Sequence, residues 1–303
     1  MGLIERTYKN GEIIIKEGDN GTSFFRLLEG SAFVYAGFGK NDQVKLAVLE
    51  EGEFFGEMAI LEAYPRSATV VAKGTVRAIE IPESDMNAFF AEDPSMIAEL
   101  MAHLGNRVCA MAADLREAET LLGELRESEA SKNKKSLFSK IKKHIDMYQS
   151  NKNKITEPDK ESIRDALKAI PDDGTGNFKT YGKGLIIFKE GSVDNNMYIL
   201  HSGTVGMYSG YRTKEALKLT EFTAPTFFGE MGIISDEPRS ASAVAEESGT
   251  RVESICRDDL EPIFRSCPAK IDMILRHLSY KLRKLNSDFL NTCKEITEIY
   301  NNK

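Results

Sequence analysis

Twice in this sequence a glutamate is followed nine positions later by an arginine, Glu57 with Arg66 and Glu230 with Arg239. Both pairs sit in the same frame, Phe-Gly-Glu-Met before and Pro-Arg-Ser-Ala after. Arginine's planar fork can give two parallel hydrogen bonds to an oxyanion, and its charge survives burial. A carboxylate beside it can accept a hydroxyl proton. The stretches 56–59 and 229–232, Gly-Glu-Met-Ala and Gly-Glu-Met-Gly, read as the first turn of a short helix, whose open amides and dipole favour an anion. Gly56 and Gly229 let backbone come close. The chemistry is that of a small ligand carrying a phosphate monoanion next to a hydroxyl. An isolated Arg and Glu at this spacing are more often surface charges or a structural ion pair, so the weight rests on the duplication.

The duplication extends well beyond the cassette. At an offset of 173, residues 11–72 align with 184–245 without a gap, and 24 of the 62 positions are identical. The identities cluster in Lys16-Glu17-Gly18 with Lys189-Glu190-Gly191, and in the two halves of the cassette. Each copy opens with short β-branched and aromatic runs separated by glycine turns, such as Glu12 to Lys16, Phe24 to Leu28 and Ala32 to Tyr35, which are strand signals. In copy two the matching runs are Leu185 to Lys189, Met197 to His201 and Val205 to Tyr208. A heptad seam follows each copy: Met101, Leu104, Val108, Met111, Leu115, Ala118, Leu122 and Leu125 after the first, and Leu278, Leu282, Leu285, Phe289, Thr292, Ile296 and Ile299 after the second. The expected fold is mainly β with α: two jelly-roll (β-roll) domains, each followed by a long helix. The expected boundaries are 1–130 and 158–303, joined by a lysine-rich linker at 131–157, with a short helix over Glu157 to Ile170 leading into the second domain.

These residues resemble the phosphate-binding cassette of the cyclic-nucleotide-binding domain family, which includes bacterial catabolite-activator proteins, regulatory subunits of cyclic-AMP-dependent kinase and cyclic-nucleotide-gated channels. The resemblance covers about residues 8–130 and 158–300. It implies a cyclic-nucleotide receptor without catalytic activity, in which the glutamate takes the ribose hydroxyl, the arginine takes the cyclic phosphate, and neighbouring amides complete the cradle. Carried over position by position, the first site is Gly56, Glu57, Met58, Ala59, Arg66, Ser67 and Ala68. The second is Gly229, Glu230, Met231, Gly232, Arg239, Ser240 and Ala241. Serine after the arginine occurs in bacterial cyclic-AMP receptors of the family, so cyclic AMP is the expected ligand and cyclic GMP the alternative. Aligning the long helices from Pro94 and Pro268 places Met111 and Ala112 near the first base, and Leu285 and Asn286 near the second, with Asn286 able to hydrogen-bond the base edge.

Departures from the family narrow the role. No helix-turn-helix segment follows either copy, so direct DNA binding is not expected; the Arg-Arg-x-Ser/Ala bait of kinase regulatory subunits is also absent, so the kinase role is not expected to carry over and the regulated partner protein stays unidentified. Copy one starts so near Met1 that no helical element is expected ahead of it. The rival reading is an interaction scaffold with one or both pockets degenerate.

Composition agrees with this class. In 303 residues, 41% hydrophobic, the net charge is −7, which disfavours broad nucleic-acid binding. Eight lysines against one acid, Asp146, set residues 131–156 apart, and Leu137, Ile141, Ile145 and Tyr148 give that stretch an amphipathic helical period. A solvated or packed connecting helix is the plainer reading, a contact with an acidic partner or anionic surface the other. No apolar run approaches the roughly 20 residues of a membrane span, and the first six residues are too charged for a secretion signal. Cys109, Cys256, Cys267 and Cys293 lack metal or disulfide spacing and read as reduced, mostly buried thiols of a cytoplasmic protein. No metal and no catalytic constellation is expected. The apolar seams require burial, and pairing of the first helix with its copy in a homodimeric coiled coil is the expected solution, the intrachain pair being the alternative.

Overall fold

The structure, a computed structural model, describes residues 4–40, 43–57, 65–127, 141–142, 144–146, 167–168, 176–234 and 237–301. Met58, Ala59, Leu137, Tyr148 and the expected helix over 157–170, apart from Leu167 and Lys168, lie outside the described residues. Two compact units form. The first takes Met1–Asp93, Arg107–Pro158 and Ser279–Lys303, the second Pro94–Asn106 and Asp159–Leu278. The expected boundaries kept each long helix whole beside its own barrel, whereas these units divide both helices.

In the first unit the strands are β1 (Ile4–Tyr8), β2 (Ile13–Ile15), β3 (Ser23–Ala36), β4 (Val44–Leu49), β5 (Phe54–Phe55) and β6 (Thr69–Pro82). They build one antiparallel sheet in the order β1-β6-β3-β4, with β2 on β6 and β5 on β3. The 14-residue strands β3 and β6 fold back as a pair and bend at Gly30, where φ is +87° and a Cβ would stand 2.4 Å from the Thr75 carbonyl oxygen. Only glycine fits such a bend. Ile15, Phe25, Leu27, Ala32, Phe55 and Val70 are among the inward residues that fill the roll. After a 3-10 turn, α1 (Met86–Glu92) caps the sheet with Phe89 and Phe90, and α2 (Ser95–Glu127) follows.

The second unit repeats the plan in shorter strands: β7 (Asn177–Tyr181), β8 (Ile186–Phe188), β9 (Asn196–Ser202), β10 (Thr204–Ser209), β11 (Leu217–Thr223), β12 (Thr226–Phe228), β13 (Ser242–Ala245) and β14 (Thr250–Cys256), with α3 (Met231–Ile234) between β12 and β13. They form two antiparallel four-stranded sheets, β11-β10-β13-β8 and β12-β9-β14-β7, around Phe188, Tyr198, Leu200, Val205 and Phe228. Gly203, at φ +90°, breaks the chain where Gly30 bends it in the first unit. Then come α4 (Leu260–Ser266) and α5 (Pro268–Asn301). The start of α2 packs in this unit, where Gly105 leaves room for Ile234: a Cβ there would come within 2.2 Å of its side chain.

The later parts of the two long helices meet inside the first unit. Ala118, Leu121, Leu122 and Leu125 of α2 bury against Phe289, Leu290, Cys293 and Ile296 of α5, and Arg126 donates to Glu295 at 2.5 Å. Ile141, Ile145 and His144 of the lysine-rich segment pack on the same pair, with His144 6.0 Å from the Phe289 ring. These contacts bury the later part of the seam within one chain, as in the arrangement held as the alternative. All four cysteines are free, but only Cys293 is fully buried; the other three are half-buried, contrary to expectation, Cys256 at the end of β14, Cys267 just after α4 and Cys109 midway along α2. Among the described residues no helix is long and apolar enough to cross a membrane.

Candidate functional site

Each arginine of the cassette is fixed at its backbone before its side chain is placed. In the first unit Arg66 N donates to the Asp19 carbonyl at 2.8 Å, and Gly18 N returns a bond to the Arg66 carbonyl at 2.9 Å. The second unit repeats this with Arg239 N to Ser192 O and Gly191 N to Arg239 O, both 2.8 Å. The Lys-Glu-Gly cluster is thus the clamp on the arginine strand. Its glutamates finish the job: Glu17 and Glu190 donate their own amides to Thr69 Oγ1 and Ser242 Oγ, and their carboxylates accept the Gly37 and Gly210 amides at 2.8 and 2.7 Å.

The glycine ahead of the glutamate serves the arginine directly. Arg66 Nη1 donates to the Gly56 carbonyl at 2.5 Å, and Arg239 Nη1 to the Gly229 carbonyl at 2.6 Å. Both glycines have positive φ, +81° and +67°, and a Cβ on Gly56 would stand 2.7 Å from the guanidinium. The required conformation and the close approach exclude any side chain. All four charged residues are buried, Glu57 and Glu230 at 1% and 3% exposure, Arg66 and Arg239 at 8% and 7%. Burial pushes the Arg66 guanidinium below its ordinary value, opposed by Glu57, Glu80 and Asp19; it remains cationic.

Around this shared frame the two sites differ. In the first, Arg66 Nη2 donates to the Ser23 carbonyl, and Glu57 accepts from Arg107 Nη1 on α2. In the second, Arg239 is gripped from both ends by Asp194, Nε to Oδ2 at 3.0 Å and Nη2 to Oδ1, while Nη2 also donates to the Asn196 carbonyl at 2.5 Å. Although burial pushes it up, hydrogen bonding and attraction from Arg239 hold the Asp194 carboxyl below its usual range. The guanidinium lies 4.2 Å over the Phe188 ring and 5.7 Å from Tyr198, whose phenol burial pushes up to about 12. Ile15 and Phe25 hold those two places in the first unit. Gly232, where copy one has Ala59, is forced: a Cβ would lie 2.4 Å from Arg239 Nη2.

The expected short helix after the second glutamate is α3, carrying Met231, half-buried, and Gly232, buried. Ser67 and Ser240 are exposed beside their arginines, Ala68 is half-buried and Ala241 buried. Met58 and Ala59 fall outside the described residues. Asn286 is half-buried on α5, in the part that packs in the first unit, whereas Glu230 and Arg239 belong to the second. Sequence reading missed Arg107 and Asp194. Arg107 lies 50 positions from Glu57, with no local signal beyond its place beside the seam residue Val108; Asp194 faces Gly21 in the repeat alignment, and a search for identities passes over a difference. Among the described residues no three His, Cys, Asp or Glu side chains gather as a metal site.

The family model of the cyclic nucleotide-binding domain matches residues 5–93 and 178–267. A cAMP-dependent protein kinase regulatory subunit of Dictyostelium discoideum is 23% identical over 253 residues, 81% of this chain and 61% of that one. A cGMP-dependent protein kinase of Toxoplasma gondii is 28% identical over 241 residues, 80% of this chain and 18% of its own length. The chain thus spans less than two thirds of either relative. Among solved structures, the cAMP-bound PfPKA-R (141-441) aligns over 88% of this chain and 74% of its own at 18% identity and a TM-score of 0.37. The catabolite activator protein of Thermus thermophilus aligns over 42% of this chain and 64% of its own at 28% identity and a TM-score of 0.32. Superpositions this loose place no individual atom.

Proposed function

The chain belongs to the cyclic nucleotide-binding domain family, and on that footing we propose that it is a cytoplasmic receptor for a 3′,5′-cyclic nucleotide, cyclic AMP before cyclic GMP, that regulates a partner protein allosterically. Residues 1–130 and 158–303 are the two receptor domains and 131–157 their linker. Arg66 and Arg239 hold the cyclic phosphate, Glu57 and Glu230 the ribose hydroxyl, and residues 56–59, 67–68, 229–232 and 240–241 supply the surrounding amides. Asn286 is assigned to the base edge at the second site. The observation that carries this reading is the paired buried charge: in both units a glutamate and an arginine at most 8% exposed, the arginine tied to the carbonyl of the glycine preceding that glutamate. A fold has no need to bury such a frame twice, since buried ions cost desolvation that packed hydrophobes avoid. The relatives named above are kinase regulators or kinases by name, which makes a protein kinase the first partner to try in a pull-down with and without cyclic AMP.

Isothermal titration with cyclic AMP and cyclic GMP tests the assignment. Two sites per chain are expected, each lost with its own arginine in Arg66→Ala and Arg239→Ala, because a phosphate left unpaired in a desolvated pocket forfeits about 2–5 kcal/mol. Unchanged affinity in the double variant would defeat it. Asn286→Ala should weaken adenine discrimination at the second site alone. No response to any cyclic nucleotide would leave the scaffold reading.

A further inference from the structure

The outer face of the first barrel carries an apolar row that its duplicate lacks. Residues directly opposite in antiparallel strands share a face, and the register runs Ile13 to Val71, Val71 to Phe33, and Phe33 to Val48, across β2, β6, β3 and β4. Ala32 and Val34 on either side of Phe33 point into the core, so this row points out. Val71 is roofed over at 5% exposure, while Ile13 and Val48 remain 43% and 37% exposed at the ends. At the usual strand spacing the row is about 15 Å long.

Two cations frame it. Lys45 Nζ stands 3.8 Å from the Phe33 ring centroid and Lys73 Nζ 5.4 Å. Among the described residues neither lysine is paired with an acid. Nearby carboxylates are engaged elsewhere: Glu17 with the Gly37 amide, Glu12 with the Lys9 amide, Glu29 with Arg77. On a chain of net charge −7, a pair of ammonium groups with no acidic partner among the described residues, around an exposed apolar row, is a local exception.

The second barrel supplies the control. The same ladder there reads Ile186, Val244, Gly206 and Glu221. Phenylalanine has become glycine and valine glutamate. Lys218, at the place of Lys45, is paired with Glu221 and, at 2.9 Å, with Glu246, which stands where the first barrel has Lys73. The fold therefore needs neither the apolar row nor its open lysines. We propose that this face is the docking surface for a partner polypeptide whose aliphatic or aromatic anchor, flanked by carboxylates, covers Phe33 and Val48 and pairs with Lys45 and Lys73. Charge complementarity decides the chemistry of that occupant. A lipid surface fits less well, since membrane binding needs apolar groups that reach roughly 5–10 Å into the headgroup boundary, and at the centre of this row Val71 is buried and Phe33 half-buried.

The test uses the full chain and random dodecapeptides displayed on phage, selected on the wild type and counter-selected on the variant F33G/V48E/K73E, which installs the second barrel's own residues. Enriched peptides are expected to carry an apolar residue between two or more carboxylates, to bind the wild type at least tenfold more tightly than the variant, and to weaken between 50 and 500 mM NaCl. Thermal melting and cyclic-nucleotide titration of the variant verify that it folds, and stand apart from the docking result. Absence of any discriminating peptide, or enrichment of basic ones, overturns the proposal. So does sedimentation with phosphatidylserine vesicles that the wild type shows and the variant loses, which would make the face a membrane contact, or concentration-dependent self-association lost in the variant, which would make it a contact between copies.

Discussion

Replacing Asp194 by glycine, the residue at the matching place in the first unit, should tighten nucleotide binding at the second site. A guanidinium has five N–H donors. Arg239 commits four of them to the protein: one on Nη1 to Gly229, both on Nη2 to Asn196 and Asp194, and Nε to Asp194. Arg66 commits two, to Gly56 and Ser23. A parallel two-bond grip on a phosphate is open to Arg66 as it stands, whereas Arg239 must first release Asp194. Asp194→Gly returns two donors and removes an opposing charge. One additional hydrogen bond to a charged group is worth about 1.5–3 kcal/mol, so affinity should rise roughly tenfold to a hundredfold. The measurement is calorimetric titration in an Arg66→Ala background, which silences the first site, comparing the chain that keeps Asp194 with Asp194→Gly and with Asp194→Asn as the uncharged intermediate. The reverse change, Gly21→Asp, should weaken the first site, since even a Cβ at position 21 would crowd to 2.3 Å of the Arg66 guanidinium. Weaker binding in Asp194→Gly would refute the reasoning and show that the carboxylate positions Arg239 for the ligand instead of competing with it.

Stability should fall as the pH drops from about 6.5 toward 4. His277, packed 4.9 Å from the Phe227 ring, is held down to about 4 by burial, so over this window the unfolded chain binds the extra proton; His277→Phe should flatten that part of a pH series of thermal melts. Below that, as pH falls through the depressed range of Glu253, stability should drop again: burial pushes this carboxyl up, but hydrogen bonds from His201 and Lys270 more than offset it. Lys270→Met should cost about 3 kcal/mol in urea unfolding, because it leaves the Glu253 carboxylate, 1% exposed and 2.9 Å from the lysine, with His201 as its remaining side-chain partner. Light scattering after gel filtration should give a mass near 33.8 kDa, since the helix seam is already closed; a doubled mass that Leu290→Asp abolishes would show the seam pairing between chains.

The parts of the molecule legible in the sequence are those both copies must repeat. The offset of 173 exposes the duplicated roll because Gly30 and Gly203 have to occupy the same strained bend, and the Gly-Glu and Pro-Arg ends of the cassette survive because a hydrogen bond from the arginine side chain to the glycine carbonyl joins them. Strand positions follow from alternation, and the seams from their heptads. What stayed hidden depends on partners distant in sequence. Nothing local announces that Arg107 reaches Glu57, that β3 and β6 run unbroken for 14 residues where copy two uses two strands each, or that each long helix divides between two units. Periodicity shows that a face is buried and not against what, which is why the seam permitted both a homodimer and the intrachain pair.

The divergence between the copies carries a consequence for signalling. A ligand shifts a conformational balance only through contacts that differ between the states. Both sites keep the same bond from arginine to glycine carbonyl, so that bond cannot distinguish them. What differs is the second charge contact. At the first site Glu57, proposed above to take the ribose hydroxyl, accepts from an arginine of α2, so a hydroxyl arriving there would compete for the attachment of a helix that runs on to the Ala118 to Leu125 seam. At the second, Arg239, proposed above to hold the phosphate, is tied to Asp194 in the loop before β9, so a phosphate arriving there would compete for a loop. On that reading one ligand acts through Arg107 of α2 at the first site and through the Asp194 loop at the second, and occupancy of the first site has a route into the helix pair.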